Sequence, residues 1–236
     1  MAAKYRVIVD TLEKELIEGV YIETKKIPTE EELMSRFGVS RNTIRKAIEV
    51  LVSRGYLYQV QGSGIFVREA AFKGYVNLER LKGLTTDFPT NKIETKIIDF
   101  KLTHADKDLA QKMRCEEGSS VYFVNRLRMV DGKPFGVEYS YFNKAIVTYL
   151  NEEIIQKSIY DYIRYDLNLT IGFADRIIYA DIISDKDAKI LGLPKNSPAL
   201  INDNIVFLNN GEVFDVSRTI HHYRNVKLLK LSNFRE

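Results

Sequence analysis

The chain has 236 residues, 35 Lys and Arg against 32 Asp and Glu, and one cysteine. That length is enough for two domains of ordinary size, and a hydrophobic fraction of 45% excludes a disordered chain. With one cysteine an internal disulfide is excluded; with no charged-then-apolar leader and no bilayer-length apolar run, a cytoplasmic protein with no membrane partner is expected.

In chain order, Tyr5, Ile8, Val9, Leu12 and Leu16 recur at helical spacing, and Gly19 ends the run. Pro28 sets an extended entry to a second helix, announced by the Thr29 and Glu32 capping-box pair and carrying Leu33, Met34 and Phe37 before Gly38 stops it. Ser40 is expected to cap a third helix. Its apolar Ile44, Ala47, Ile48, Leu51 and Val52 face inward, Arg41, Asn42, Thr43 and Arg45 lie on its outer N-terminal side, and Gly55 ends it. The segments YLYQV and GIFV, joined through Gln61-Gly62-Ser63, then read as two short strands.

Helix, helix, turn, helix and hairpin define a winged helix-turn-helix. A helix of this kind fits the major groove of DNA, where Arg can donate twice to guanine and Asn can pair with adenine. Gly62 and Gly64 let the wing backbone come close to the duplex, with Gln61 available for a minor-groove or phosphate contact. The net charge of +3 says little by itself, but Arg36, Arg41, Arg45, Lys46, Arg54 and Arg68 fall in a stretch whose only acid is Glu49. Residues 1–68 are therefore read as a DNA-binding domain and 69–79 as a linker.

Residues 80–236 read mainly as strands: KIETKIIDFKL, SVYFVNRLRMV, PFGVEYSYF, GFADRIIYADII, ALINDNIVFL and EVFDVSRTI. Helical runs are predicted at 106–113, 152–165 and 185–191, and hairpin turns at Asp131-Gly132 and Asn210-Gly211. A shift of 79 positions places Asp106-Lys107-Asp108 on Asp185-Lys186-Asp187, Asn125 on Asn204, Gly132 on Gly211, Phe135 on Phe214 and Val137 on Val216. This predicts a repeated strand-helix-hairpin unit, two copies of which form one sheet. The fold class is α+β.

Arg126 and Arg128 share one strand face, opposite Phe123, Leu127 and Met129, so two guanidinium forks point away from the core. They suit a phosphate or carboxylate, or else a solvated face with ion pairs. Thr85 and Thr86 precede a short helical turn whose hydroxyls and N–H groups could bind the same anion. His104, His221 and His222 have no metal-ligand spacing with Cys115, and neither a phosphate-binding glycine loop nor a nucleophile elbow is present, so no metal, cofactor or catalytic residue is expected.

The stretch IPTEEELMSRFGVSRNTIRKAIEVLVSRGYLYQVQGSGIFV resembles the DNA-binding domain of GntR-type bacterial transcription regulators. The resemblance implies that Arg41, Asn42, Thr43 and Arg45 approach bases or phosphates and that Gln61 and Gly62 form the wing tip. Where many members carry arginine, this chain has Glu31, so the operator sequence cannot be carried over and a shifted half-site preference is expected. The segments LKGLTTDF, RLRMVDGKPFGVEYSYF, IYDYI and GEVFDVSRT resemble the UTRA effector domain of the HutC-like branch, which shares its fold with chorismate lyase. That resemblance implies that Glu138 and Asp215 contact polar groups of an effector. A two-residue turn at Asp131-Gly132 would place Glu138 on the face opposite Arg126, whereas a three-residue turn with a bulge, favoured because Pro134 cannot donate a ladder hydrogen bond, would place the two directly across from each other.

The expected function is a ligand-responsive regulator, a repressor in the first instance, that binds palindromic operator DNA as a homodimer. Its effector is expected to be a small anionic metabolite, a sugar phosphate above all. The alternative is an enzyme of the chorismate lyase-like fold with a DNA-binding appendage.

Overall fold

The structure, a computed structural model, describes residues 4–68, 75–78, 83–88 and 90–230. The chain divides into two compact units, Met1–Arg80 with Lys227–Glu236, and Leu81–Val226.

The first unit contains α1 (Lys4–Ile17), α2 (Glu30–Phe37), α3 (Arg41–Ser53) and the hairpin β1 (Leu57–Val60) and β2 (Gly64–Val67). Its core is formed by the predicted stripes: Ile8, Val9, Leu12 and Leu16 of α1 pack with Leu33 of α2, Ile44, Ala47, Ile48 and Leu51 of α3, and Ile65 and Val67 of β2. Buried Glu13 on α1 accepts from Arg54 and from the Tyr56 hydroxyl, each at 2.5 Å, which ties α1 to the end of α3 and the start of the wing. At α2 both halves of the capping box form, and Gly38 closes the helix in the left-handed region at φ 61°. Ser40 differs from expectation. It has the extended N-cap backbone, but its hydroxyl lies 3.0 Å from that of Thr43 and makes no capping bond to a backbone N–H. The wing is also broader than its two strands, since Ile27 N–H donates to Ile65 O, Val67 N–H to Lys25 O, and the Lys26 ammonium to Ser63 O. In the same unit β3 (Val76–Asn77) pairs in parallel with β10 (Leu228–Leu229), which places the strand at 228–229 beside the predicted linker.

In the second unit β4 (Ile93–His104), β5 (Ser120–Val130), β6 (Lys133–Asn143), β7 (Ile171–Ile182), β8 (Pro198–Leu208) and β9 (Val213–His222) form one six-stranded antiparallel sheet in the order β4-β5-β6-β9-β8-β7. One face packs against α5 (Lys107–Met113), through Val121, Phe207 and Val213, and against α8 (Asp185–Leu191), through Leu127, Val137, Ile201 and Ile220. The other packs against α6 (Glu152–Gln156), α7 (Ile159–Asp161) and a π-helical turn at Tyr162–Asp166, whose Ile155, Ile159 and Ile163 meet Tyr122, Val124, Phe142 and Val206. The single helix expected over 152–165 is thus broken. Lys157 is extended and Ser158 caps a new turn through its bond from Asp161 N–H.

The strand-helix-hairpin repeat is present, with a corrected register. Asp106 accepts from Leu109 N–H to cap α5, and Ser184 accepts from Asp187 N–H to cap α8, so the copies correspond at 78 positions through strand, helix and strand. The first hairpin turns on two residues between the paired Val130 and Lys133. The second turns on three, since Leu208 N–H donates to Glu212 O, and that extra residue restores 79 for Gly132 with Gly211 and for the final strand. Asn204 therefore corresponds to Arg126 rather than to Asn125.

Candidate DNA-binding and effector sites

On the first unit Arg41, Asn42, Arg45, Gln61 and Gly62 are exposed and Thr43 is half-buried. The buried stripe of α3 fixes which side of the helix remains available, and the wing tip is held by Lys26, whose ammonium also lies 4.7 Å from the Phe66 ring centre. The local excess of positive charge is smaller than the linear sequence shows. Arg45 Nε donates to both carboxylate oxygens of Glu30 at 3.0 and 3.1 Å, Arg41 Nη2 donates to Glu31 at 3.1 Å, and Arg41 Nε lies 3.6 Å from Glu30. The acid-poor stretch begins at Arg36, and folding returns two acids from just before it to α3.

On the second unit Arg126, Arg128 and Glu138 come together. The turn has two residues, as in the first alternative, yet Arg126 stands directly across from Glu138, as in the second, because a bulge between the pairs Arg128↔Gly136 and Met129↔Pro134 inserts Phe135. The two arginines share the predicted face, but that face does not point away from the core. Both are buried, at 8% and 5% exposure. Arg126 is committed to the protein: Nε donates to Glu138 at 2.6 Å and Nη1 to the carbonyls of Ile155 and Lys157 at 2.6 and 3.2 Å. These carbonyls belong to the C-terminal end of α6, where a cation is favoured. Arg128 is less committed, with Nη1 3.9 Å from Glu138 and a buried Nε that has no hydrogen-bond partner among the described residues.

Around this pair the same face is polar across several strands. Successive rows of the sheet run Arg128, Gly136, His221; then Arg126, Glu138, Thr219, Asn202; then Ser140, Ser217, Asn204, Arg176; then Phe142, Asp215. Gly136 lets His221 pack closely against β6 at the end of this face, since a Cβ there would come within 3.2 Å of His221 Nδ1. Asp215 accepts from Tyr160 at 2.7 Å and from Ser217 at 3.2 Å through Oδ2, while Oδ1 has no partner among the described residues. Asn202 Oδ1 and His221 Nδ1 are in the same position.

Burial governs the charge states. It pushes the Asp215 carboxyl up to about 7 despite the donors from Tyr160 and Ser217, pushes the His221 imidazole down to about 4, and pulls the Arg128 guanidinium down to about 10, where it is still protonated at neutral pH. Glu138 is held below its ordinary value because Arg126 and Arg128 outweigh its own desolvation. Two guanidiniums thus share one fully ionised carboxylate, and this part of the sheet face carries net positive charge.

Thr85 lies within α4 (Leu84–Asp87) rather than before it and is exposed; the Thr86 side chain lies outside the described residues. At the end of α4, Phe88 meets Phe135 edge-on at 5.3 Å, and Phe135 meets His221 at 5.4 Å. Sequence reasoning missed Tyr160, Arg176, Asn202 and His221 as members of this face. The alternation of Asn202 and Asn204 with apolar neighbours in ALINDNIVFL was a usable signal.

A winged helix-turn-helix joined to a six-stranded UTRA-type sheet defines a DNA-binding transcription regulator. The chain belongs to the bacterial regulatory proteins of the gntR family, matched over residues 4–67, and carries a UTRA domain, matched over residues 90–227, which places it in the HutC-like branch. It is 35% identical over 230 residues to the transcriptional regulator YydK of Bacillus subtilis, covering 98% of each chain, and the crystal structure of YydK superposes with a TM-score of 0.82 at 33% identity over 98% of this chain and all of that one. It is also 28% identical to the transcriptional repressor NagR of Bacillus subtilis, covering 92% of this chain and 89% of NagR, and 26% identical to MngR, the mannosyl-D-glycerate transport/metabolism system repressor of Escherichia coli, covering 91% and 89%. These relatives are transcription regulators, which sets the enzyme alternative aside.

Proposed function

We propose that the chain is a cytoplasmic repressor that reads a palindromic operator as a homodimer, with Arg41, Asn42, Thr43 and Arg45 in the major groove and Gln61 and Gly62 at the wing. In the same proposal a small anionic metabolite bearing hydroxyl groups, with a sugar phosphate the first candidate, binds the polar face of the sheet and changes operator affinity. Relatives named as repressors support the direction of control. The observation that carries the ligand class is the set of buried polar atoms without partners among the described residues: Arg128 Nε, a cationic donor, beside the acceptors Asp215 Oδ1, Asn202 Oδ1 and His221 Nδ1. Buried polar groups are ordinarily hydrogen-bonded. A phosphate or carboxylate satisfies the first and hydroxyl donors satisfy the others, whereas a neutral sugar leaves the guanidinium excess unanswered. The ligand has only to favour one arrangement of the paired DNA-binding domains, with a coupling of about 1 to 3 kcal/mol.

The test is thermal unfolding of the full chain with sugar phosphates, their unphosphorylated parents and amino acids. A ligand at a hundred times its Kd stabilises by about 2.7 kcal/mol. We expect phosphorylated sugars to raise Tm, their parents not to, and Arg128→Gln to remove the shift. A parent sugar that stabilises more than its phosphate would refute the assignment.

A further inference from the structure

We infer that Glu30 and Glu31 are positioning residues that set the specificity of the recognition helix. They hold Arg45 and Arg41 as internal counter-ions, so that the arginines answer to bases more than to phosphates. The inference rests on the proposal that these arginines contact DNA.

Three acids open α2 at its positive end, but only Glu32 closes the capping box, accepting from Thr29 N–H at 2.7 Å. Glu30 and Glu31 turn instead to α3. Their pairs with Arg41 and Arg45 are exposed, with Arg41 at 49%, Arg45 at 57% and Glu31 at 81%, so they add little to stability. What they control is geometry and local charge. Glu30 grips Arg45 by Nε with both of its oxygens, which orients the guanidinium and leaves Nη1 and Nη2 outside that grip. Those two groups form the fork that can donate end-on to O6 and N7 of guanine. Arg41 is held differently, with Nε near Glu30 and Nη2 on Glu31, so its side-on fork is occupied. For Arg41 to meet phosphate with that side-on fork it must leave a carboxylate, and that carboxylate then faces the DNA backbone.

Two arginines cancelled by two glutamates remove the generic attraction that drives sequence-independent binding, since that attraction scales with phosphates neutralised. A base contact suffers less, because the groove edge is not a row of anions and because Arg45 is already oriented. Glu31 thus acts against unrelated DNA, and Glu30 acts for one guanine in each half-site.

The experiment uses the full chain and two duplexes: one selected from a randomised pool by the unsubstituted protein, and one of unrelated sequence, each titrated over a salt series. Glu31→Gln should raise affinity for the unrelated duplex by about three-fold or more and steepen its salt dependence by about 0.9 in log-log slope, one added phosphate contact. The selected duplex should gain less, so the ratio falls. Glu30→Gln keeps an oxygen for Arg45 Nε and Glu30→Ala does not, so affinity for the selected duplex should fall from glutamate to glutamine to alanine. The alanine variant should lose about five-fold or more. Arg45→Ala is measured alongside. If it leaves the selected duplex unaffected, the reading of α3 as the DNA contact fails. If it weakens binding while both glutamate variants keep the original affinity ratio and salt slope, the positioning role of Glu30 and Glu31 is overturned.

Discussion

Two pairs of arginines, one on α3 and one on β5, meet glutamates in this protein under opposite conditions. Arg41 and Arg45 are about half exposed, and their partners are held by contacts that water can replace. Arg126 and Arg128 are almost wholly buried, and Glu138 is their shared counter-ion. The same pairing is therefore exchangeable on α3 and committed on β5. An exposed ion pair gains little and yields easily to a phosphate or a base, while a buried one must be satisfied at all times because desolvated charge without a partner is expensive. The difference suits the proposed roles, with one pair oriented by its glutamates and open to DNA, and the other on a buried face whose charge balance is completed by an anion.

The largest effect should follow from breaking the committed pair. Glu138→Leu removes the carboxylate beneath both guanidiniums and leaves two buried cations, one of which still anchors the carbonyls of Ile155 and Lys157. A loss of about 3 kcal/mol or more is expected in chemical denaturation of the full chain. A loss below about 1 kcal/mol, the level of a surface pair, would erase the contrast between the two sites. For the same reason, alanine at both Arg126 and Arg128 tests folding before it tests ligand binding, and Arg128→Gln is the more informative variant.

The second prediction sharpens the comparison through pH. Asp215 titrates at about 7 in the folded chain and at about 3.9 unfolded, so between these values the folded state holds the extra proton and stability falls as pH rises. His221 titrates at about 4 folded and at about 6.5 unfolded, so over that range the unfolded state holds the extra proton and stability rises with pH. The two slopes oppose each other from about pH 4 to 6.5, and only the Asp215 slope continues to about 7. Asp215→Asn should expose the histidine, and the gain in stability over the unsubstituted chain should grow by about 1 kcal/mol per pH unit between pH 5 and 7. A gain that is flat in pH would show that Asp215 is ionised throughout.

How far the sequence reveals each site follows the same division. The winged helix-turn-helix could be read closely because its signals are local: the Thr29 and Glu32 box, Gly38 after α2, the inward stripe of α3 and the glycines of the wing. What escaped notice there was contact across sequence, with Glu30 and Glu31 folding back on α3 and Lys25 to Ile27 bracing β2. In the sheet unit the strands and both hairpins were legible, and Arg126 and Arg128 were found by period two. Alternation states which face a side chain takes and not whether that face meets water or a helix, so their burial was out of reach. The bulge at Phe135, the break at Ser158 and the three-residue turn after Leu208 each change register by a residue, and each depends on packing that no short window contains. His221, Arg176 and Tyr160 join the polar face from β9, β7 and α7, elements far apart in the chain.

The smallest effect on stability should come from the pair whose function is largest. Arg45 is 57% exposed and, among the described residues, is bonded through Nε to Glu30, so Arg45→Ala deletes a partly exposed ion pair and leaves the buried stripe of α3 intact. Its unfolding free energy should stay within about 0.5 kcal/mol of the unsubstituted chain. Binding to the selected duplex should nevertheless weaken by about 1 to 3 kcal/mol at fixed salt, the value of one good bidentate contact to a base. Affinity for unrelated DNA should move far less, because the guanidinium was already neutralised by Glu30 and contributed little to generic attraction. An equal loss on both duplexes would make Arg45 a phosphate contact, and the contrast would then be between two anion sites, one for DNA and one for a metabolite, rather than between a base reader and an anion site.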